Sequence, residues 1–187
     1  MGTGRQRNTF GHAETRRSGQ QRKHCQLAKL VTSGLRSVKA IYPQAKVIVH
    51  IDEGNNPNRY IWLFDGLKAD GGKWDVIGMS LYPDPETQDW RKLNNDCISN
   101  IKNLIERYNT PVMMCELGIN WNYEEAEAFF TDFVTKAKEI DQCLGVFTWE
   151  LSATVVGKGI TKVYLTTAAS RLLHLMPSND KFIESFS

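Results

Sequence analysis

The sequence predicts an α/β fold on a parallel sheet, and three observations carry that expectation. Apolar runs of strand length alternate with amphipathic stretches of helical period between Leu27 and Glu150. The runs are continuously apolar, as in strands covered on both faces. The connecting helices are long, which parallel neighbours require and antiparallel neighbours do not.

Taken in order, Leu27, Leu30, Val31, Leu35, Val38 and Ile41 recur at helical spacing, and Tyr42-Pro43 stops that helix before a strand from Lys46 to Ile51. After Asp52-Glu-Gly-Asn-Asn56, Pro57 opens a second helix with Ile61, Trp62, Phe64, Asp65 and Leu67, which Gly71-Gly72 ends. A strand from Asp75 to Leu81 and a loop from Tyr82 to Trp90 precede a helix that aligns Ile98, Ile101, Leu104, Ile105 and Tyr108. The third strand is Val112 to Cys115. Residues Glu124 to Ile140 form a fourth helix through Ala126, Phe129, Phe130, Phe133 and Ala137, and Cys143 to Trp149 form a fourth strand.

Composition narrows the class. With 187 residues and 41% hydrophobic content, the chain can build one ordinary core. No run approaches the roughly 18 apolar residues that cross a bilayer, so no membrane partner is expected. The N-terminus is polar and Arg-rich where a signal peptide would be apolar, so the chain as written is expected to stay in the cytosol. Cys25, Cys97, Cys115 and Cys143 show no metal or disulfide spacing and are expected as free thiols. Residues 1–25 form a basic arm, with Arg5, Arg7, Arg16, Arg17, Arg22 and Lys23 against Glu14, and are expected to be disordered or non-native. Only Phe10 there can stack on a base, so no nucleic-acid partner is expected.

The chemistry gathers at the strand ends. In Pro111-Val-Met-Met-Cys-Glu116-Leu-Gly-Ile-Asn-Trp121 an apolar run ends on a carboxylate and enters a polar, aromatic loop. Barrel enzymes place catalytic groups there, because the sheet holds the backbone while the loops vary. The other strands end at His50 and Asp52, at Tyr82, and at Trp149 and Glu150. A nucleotide-binding doubly wound sheet would show a Gly-rich turn after a strand, and none is present. Carboxylates beside aromatic faces suit a sugar site. The plainer alternatives are a solvated Glu116, a boundary Tyr82 and a Trp149 that caps the core. His50 and Asp52, two apart in an extended run, share a face. A metal-dependent barrel hydrolase is an alternative use of that pair, but no second His or third ligand is suitably spaced and no metal site is expected.

Several segments resemble the endo-β-1,4-galactanases of glycoside hydrolase family 53. Val49-His-Ile-Asp52 with Gly54 resembles that family's His-Leu-Asp-Asn-Gly, and Trp62-Leu-Phe-Asp65 resembles its Trp-Phe-Phe-Asp helix. Trp74-Asp-Val-Ile-Gly-Met-Ser-Leu-Tyr-Pro83 is similar to Phe-Asp-Val-Ile-Gly-Xaa-Ser-Tyr-Tyr-Pro. Met114-Cys-Glu116-Leu-Gly-Ile-Asn-Trp121 resembles the strand-seven nucleophile motif, and Phe147-Thr-Trp149-Glu150 the Tyr-Trp-Glu-Pro after strand eight.

The resemblance implies a partial (β/α)8 TIM barrel, strands five to eight with their helices, over residues 26–150 and flanked by irregular N- and C-terminal extensions. It makes Glu116 the nucleophile of a retaining glycosidase, with Tyr82, Trp149, His50, Asp52 and Trp121 lining the sugar site. The implied partner is β-1,4-galactan or arabinogalactan, and a complete member would be secreted or periplasmic. It allows a calcium ion, for which these residues carry no signature; otherwise no cofactor is expected.

The sequence departs from the family in two places. No Asn-Glu pair supplies the acid/base carboxyl, and residues 151–187 leave the pattern after Glu150. The expectation is a fragment that needs a missing N-terminal half-barrel, is inactive alone, and carries frame-shifted sequence at both ends. A non-catalytic carbohydrate-binding remnant and an amphipathic helix from Tyr164 to Ser187 are the alternatives.

Overall fold

Helices and strands alternate as α1 (Phe10–Ile41), β1 (Ile48–Ile51), α2 (Pro57–Ala69), β2 (Val76–Leu81), α3 (Trp90–Tyr108), β3 (Val112–Leu117), α4 (Ala126–Lys138) and β4 (Cys143–Thr148). A short antiparallel pair, β5 (Val155–Val156) and β6 (Gly159–Ile160), follows. This computed structural model describes residues 10–120, 123–148, 155–156 and 159–160, with side chains over 23–120 and 123–148. The alternative of a helix over Tyr164 to Ser187 lies outside the described residues. Strands β1 to β4 form one sheet in sequential order, and the β2–β3 and β3–β4 pairs are parallel.

The chain divides into two compact units, Met1–Val49 with Asn58–Val76, and His50–Pro57 with Ile77–Ser187. In the first, α2 buries Tyr60, Leu63, Phe64 and Leu67. The rings of Phe64 and Trp74 lie 5.2 Å apart. Gly71, at φ 75, makes the left-handed turn that ends α2, a conformation costly for any residue with a Cβ. Asp75 accepts from the Val47 N–H at 2.8 Å and pairs with Lys39 at 2.9 Å. Burial opposes its charged form, but the bonds from Lys39 and Val47 outweigh that and lower its pKa.

Helix α1 differs from expectation twice. It starts at Phe10, inside the segment read as an unstructured arm. Ala13, Glu14, Arg16, Arg17, Gln20, Gln21 and Arg22 are good helix formers, and they extend a helix already nucleated downstream. Charge without apolar periodicity argues against burial of that arm, not against helicity. The face also differs: Ala28 is 1% exposed, whereas Leu30 and Ile41 are 71% and 73% exposed. Small residues decide this contact. The His24 ring occupies the space where a Cβ on Gly66 would sit, and Ala28 packs near Gly72.

In the second unit, α3 and α4 pack through the faces their periodicity predicts. Ile98, Ile101 and Leu104 are buried on α3; Phe129, Phe130, Phe133 and Ala137 are buried on α4. Asp89 caps α3 by accepting from the Arg91 and Lys92 N–H groups, and Asn109 closes it in the left-handed region. Buried Asn94 donates to the Phe129 carbonyl and to Asp132, stitching the two helices together. The four cysteines are free thiols.

The sheet is irregular beside Glu116. Met79 pairs with Met114, but the next residue, Ser80, pairs with Glu116. Cys115 is therefore an extra residue in β3. On the other side, Met114 pairs with Val146 and Leu117 with Thr148, three steps against two. Both ladders thus place a β-bulge between Met114 and Leu117. Strand β3 also runs to Leu117, so Glu116 lies within it, where the sequence reading ended the strand at Cys115.

Phe129 is fully buried, 5.9 Å from the Trp90 ring and 5.1 Å from that of Phe130. Phe129→Ala is expected to cost about 3–5 kcal/mol by cavity formation, read as a lower urea midpoint with unchanged slope.

Candidate active site

Three strands deliver polar side chains to the C-terminal end of the sheet. In a regular parallel pair Ser80 would face Cys115 and Glu116 would turn to the other side, since a one-residue slip reverses every side chain. The bulge at Cys115 instead sets Glu116 opposite Ser80. Tyr82, two residues beyond Ser80, turns the same way. Its hydroxyl donates to Glu116 Oε2 at 3.1 Å. At the end of β1, His50 Nε2 is hydrogen-bonded to Ser80 Oγ at 2.5 Å. His50, Ser80, Tyr82 and Glu116 form one row of polar groups. Glu116 is half-buried and Tyr82 is 49% exposed, so the carboxylate is braced yet open.

Backbone contacts hold this row. Gly118 N–H donates to the Leu81 carbonyl at 3.1 Å, and the Tyr82 ring lies on Gly118 so closely that a Cβ there would come within 2.4 Å of it. The Gly54 N–H donates to the Ser80 carbonyl at 2.8 Å, and Asn100 donates to the Gly54 carbonyl at 2.8 Å. A Cβ on Gly54 would lie 2.8 Å from Cys97 Sγ. Burial pushes up the pKa of the bulge thiol, Cys115, so it remains a neutral packing group.

A second cluster ties the loops that follow β2 and β3. Glu125 accepts from both terminal nitrogens of Arg91, at 2.7 and 3.1 Å, from Trp90 Nε1 at 2.9 Å and from the Tyr123 hydroxyl at 3.1 Å. The Arg91 guanidinium lies 4.2 Å from the Trp90 ring centre. The bonds from Arg91 and then Trp90 hold the Glu125 pKa down at about 2. The pair is 56% and 39% exposed, so water screens it and its worth lies in geometry more than in energy.

The other site residues fall as follows. Asp52 is exposed and lies one residue past the end of β1. Trp121 and Trp149 lie outside the described residues. Among the described residues no group of three or more His, Cys, Asp or Glu could hold a metal ion. A cavity of about 400 Å³ lined by Asn55, Pro57, Asp96, Ser99, Asn100 and Asn103 contains none of the row. Sequence reasoning missed Ser80, Gly118 and Glu125. Strand parity from Tyr82 would have found Ser80; nothing local marks Glu125, whose partner Arg91 lies 34 residues away.

A parallel sheet with a braced carboxylate at its strand ends is the arrangement of the barrel glycoside hydrolases. Residues 10–187 match Glycosyl hydrolase family 53, and the chain belongs to that family. An uncharacterized protein in the bgaB 5′ region of Niallia circulans is 31% identical over 101 residues, which is 54% of this chain and 26% of that protein. The structure of a fungal β-1,4-galactanase superposes with a TM-score of 0.59 at 19% identity, over 69% of this chain and 45% of the other. A β-D-glucuronidase from Dictyoglomus thermophilum gives 0.53 at 13% identity, over 78% and 29%. These structural likenesses show the shared fold. The chain spans less than half the length of each of these three proteins.

Gly118→Ala is expected to drive the Tyr82 ring off and break its bond to Glu116, seen as shifted Tyr82 ring resonances with far-ultraviolet dichroism unchanged. Glu125, with its folded pKa depressed from 4.5, contributes stability that is complete above 4.5 and lost as pH falls through about 2. The difference in urea midpoint between the parent and Glu125→Gln is therefore expected to shrink across that window, and a constant difference would contradict this account.

Proposed function

We propose that Glu116 is the nucleophile of a retaining endo-β-1,4-galactanase site. The observation that supports this best is the 3.1 Å bond from Tyr82 to Glu116 at the strand ends of a family 53 chain. One carboxylate oxygen would attack the anomeric carbon, forming a galactosyl ester as the glycosidic oxygen leaves. Tyr82 would hold the attacking group in line and release it as its charge falls. His50, Asp52, Trp121 and Trp149 would line the galactose subsites, with β-1,4-galactan or arabinogalactan as substrate in a secreted or periplasmic setting.

A retaining mechanism also needs a proton donor roughly 5 to 5.5 Å from the nucleophile. No Asn-Glu pair in this sequence supplies it. General acid help is worth about 10² to 10⁴ in rate, so the isolated chain is expected to turn over galactan negligibly. That acid would come from outside this sequence, in a barrel completed by a second half. The metal-dependent reading draws no support from the described ligands.

The test is covalent. A 2-deoxy-2-fluoro galactobiosyl donor with a dinitrophenolate leaving group needs no proton to depart, so it is expected to label the peptide containing Glu116 in the parent and not in Glu116→Gln, read by mass spectrometry. Labelling that persists in Glu116→Gln, or oligosaccharide release from galactan undiminished by that change, would refute the assignment.

A further inference from the structure

We propose that Ser80 is a positioning residue that holds His50 in its Nδ1–H tautomer, making the imidazole a hydrogen-bond donor that selects a sugar hydroxyl beside Glu116. The sugar half of this proposal rests on the galactanase reading; the tautomer half does not.

Ser80 is 3% exposed, and His50 Nε2 is the described partner of its hydroxyl. A hydroxyl carries one proton to donate, and leaving that proton unbonded in a buried place is costly. A neutral imidazole has one nitrogen that donates and one that accepts, and the bond at one nitrogen decides the role of the other. If Nε2 carried the proton, Ser80 Oγ would accept it and the Ser80 proton would be left without an acceptor among the described residues. With Ser80 donating to Nε2, both groups are satisfied and the proton of the ring resides on Nδ1.

The remaining geometry turns this preference into selectivity. His50 is exposed as a residue and its Nε2 is taken by Ser80, which leaves Nδ1 as the ring nitrogen with no hydrogen bond among the described residues. The register puts Ser80 opposite Glu116, so the His50 donor and the Tyr82-braced carboxylate stand at the same end of the sheet. A sugar whose anomeric carbon meets Glu116 would present ring hydroxyl oxygens nearby, and a fixed N–H is complementary to an oxygen lone pair. A ligand offering only a donor there would leave two protons facing each other.

Long-range ¹H–¹⁵N spectra of the full chain, recorded above the imidazole titration range with His50 assigned by substitution, read the tautomer directly. The parent is expected to show protonated Nδ1 and bare Nε2. Ser80→Ala is expected to shift the population toward Nε2–H, the form an unconstrained imidazole favours in water, and Ser80→Thr to restore Nδ1–H. An Nε2–H tautomer in the parent, or one unchanged in a folded Ser80→Ala, would overturn the proposal. Galactobiose is then expected to move the His50 Nδ1 resonance. His50→Asn, whose amide nitrogen occupies about the place of Nδ1, is expected to keep binding, whereas His50→Gln loses it. Binding that moves Tyr82 but not His50 Nδ1 would refute the donor role. No binding at all, with the tautomer as stated, would refute the galactan reading and the sugar half with it, and confirm the tautomer half.

Discussion

Everything at the mouth of this sheet depends on one extra residue, Cys115. In β3 it shifts the ladder so that Glu116, not Cys115, stands opposite Ser80. Without that shift the carboxylate would point to the face away from Ser80, His50 and Tyr82. The bulge is held on both sides, by the pairings of Met114 with Met79 and with Val146. Neighbours that are themselves buried, Met79 and Met114 among them, leave it little room to slip. Bulges beside active sites commonly re-aim one side chain in this way.

Around that point the backbone makes room for side chains. Gly118 lets the Tyr82 ring lie against the chain just beyond Glu116, and Gly54 lets the loop after β1 reach the Ser80 carbonyl beneath α3. Glu125 then ties the start of α3 to the start of α4 through Arg91, Trp90 and Tyr123. Each loop is fixed by a contact from a different strand or helix, which is how a sheet edge acquires a rigid site without a rigid loop sequence. The carboxylate brace, the imidazole and the loop clamp thereby share one scaffold.

Family membership and local geometry support each other at different levels. The match over residues 10–187 identifies the kind of protein, while the low-identity structural likenesses speak only to its fold. The chemistry assigned to Glu116 rests on its bond to Tyr82 and on its place at the strand ends. The match also runs through both terminal segments that the motif reading had set aside.

The sequence by itself determined the alternation of elements, because helical and strand periods are local and can be read without knowing the fold. It also marked Glu116, Tyr82 and His50, since each lies at or just past the end of an apolar run of strand length. It could not determine which side of the sheet Glu116 faces, for a bulge is a relation between strands and leaves no period in one of them. Nor could it show that Leu30 and Ile41 stay exposed while Ala28 is buried, because a helix's spacing defines a face but not what covers it. Ser80 is hydrogen-bonded to His50, 30 residues away, and Glu125 owes its lowered pKa first to Arg91, 34 residues away. Pairings at that separation come from the packing of whole elements, so only the tertiary structure decided them.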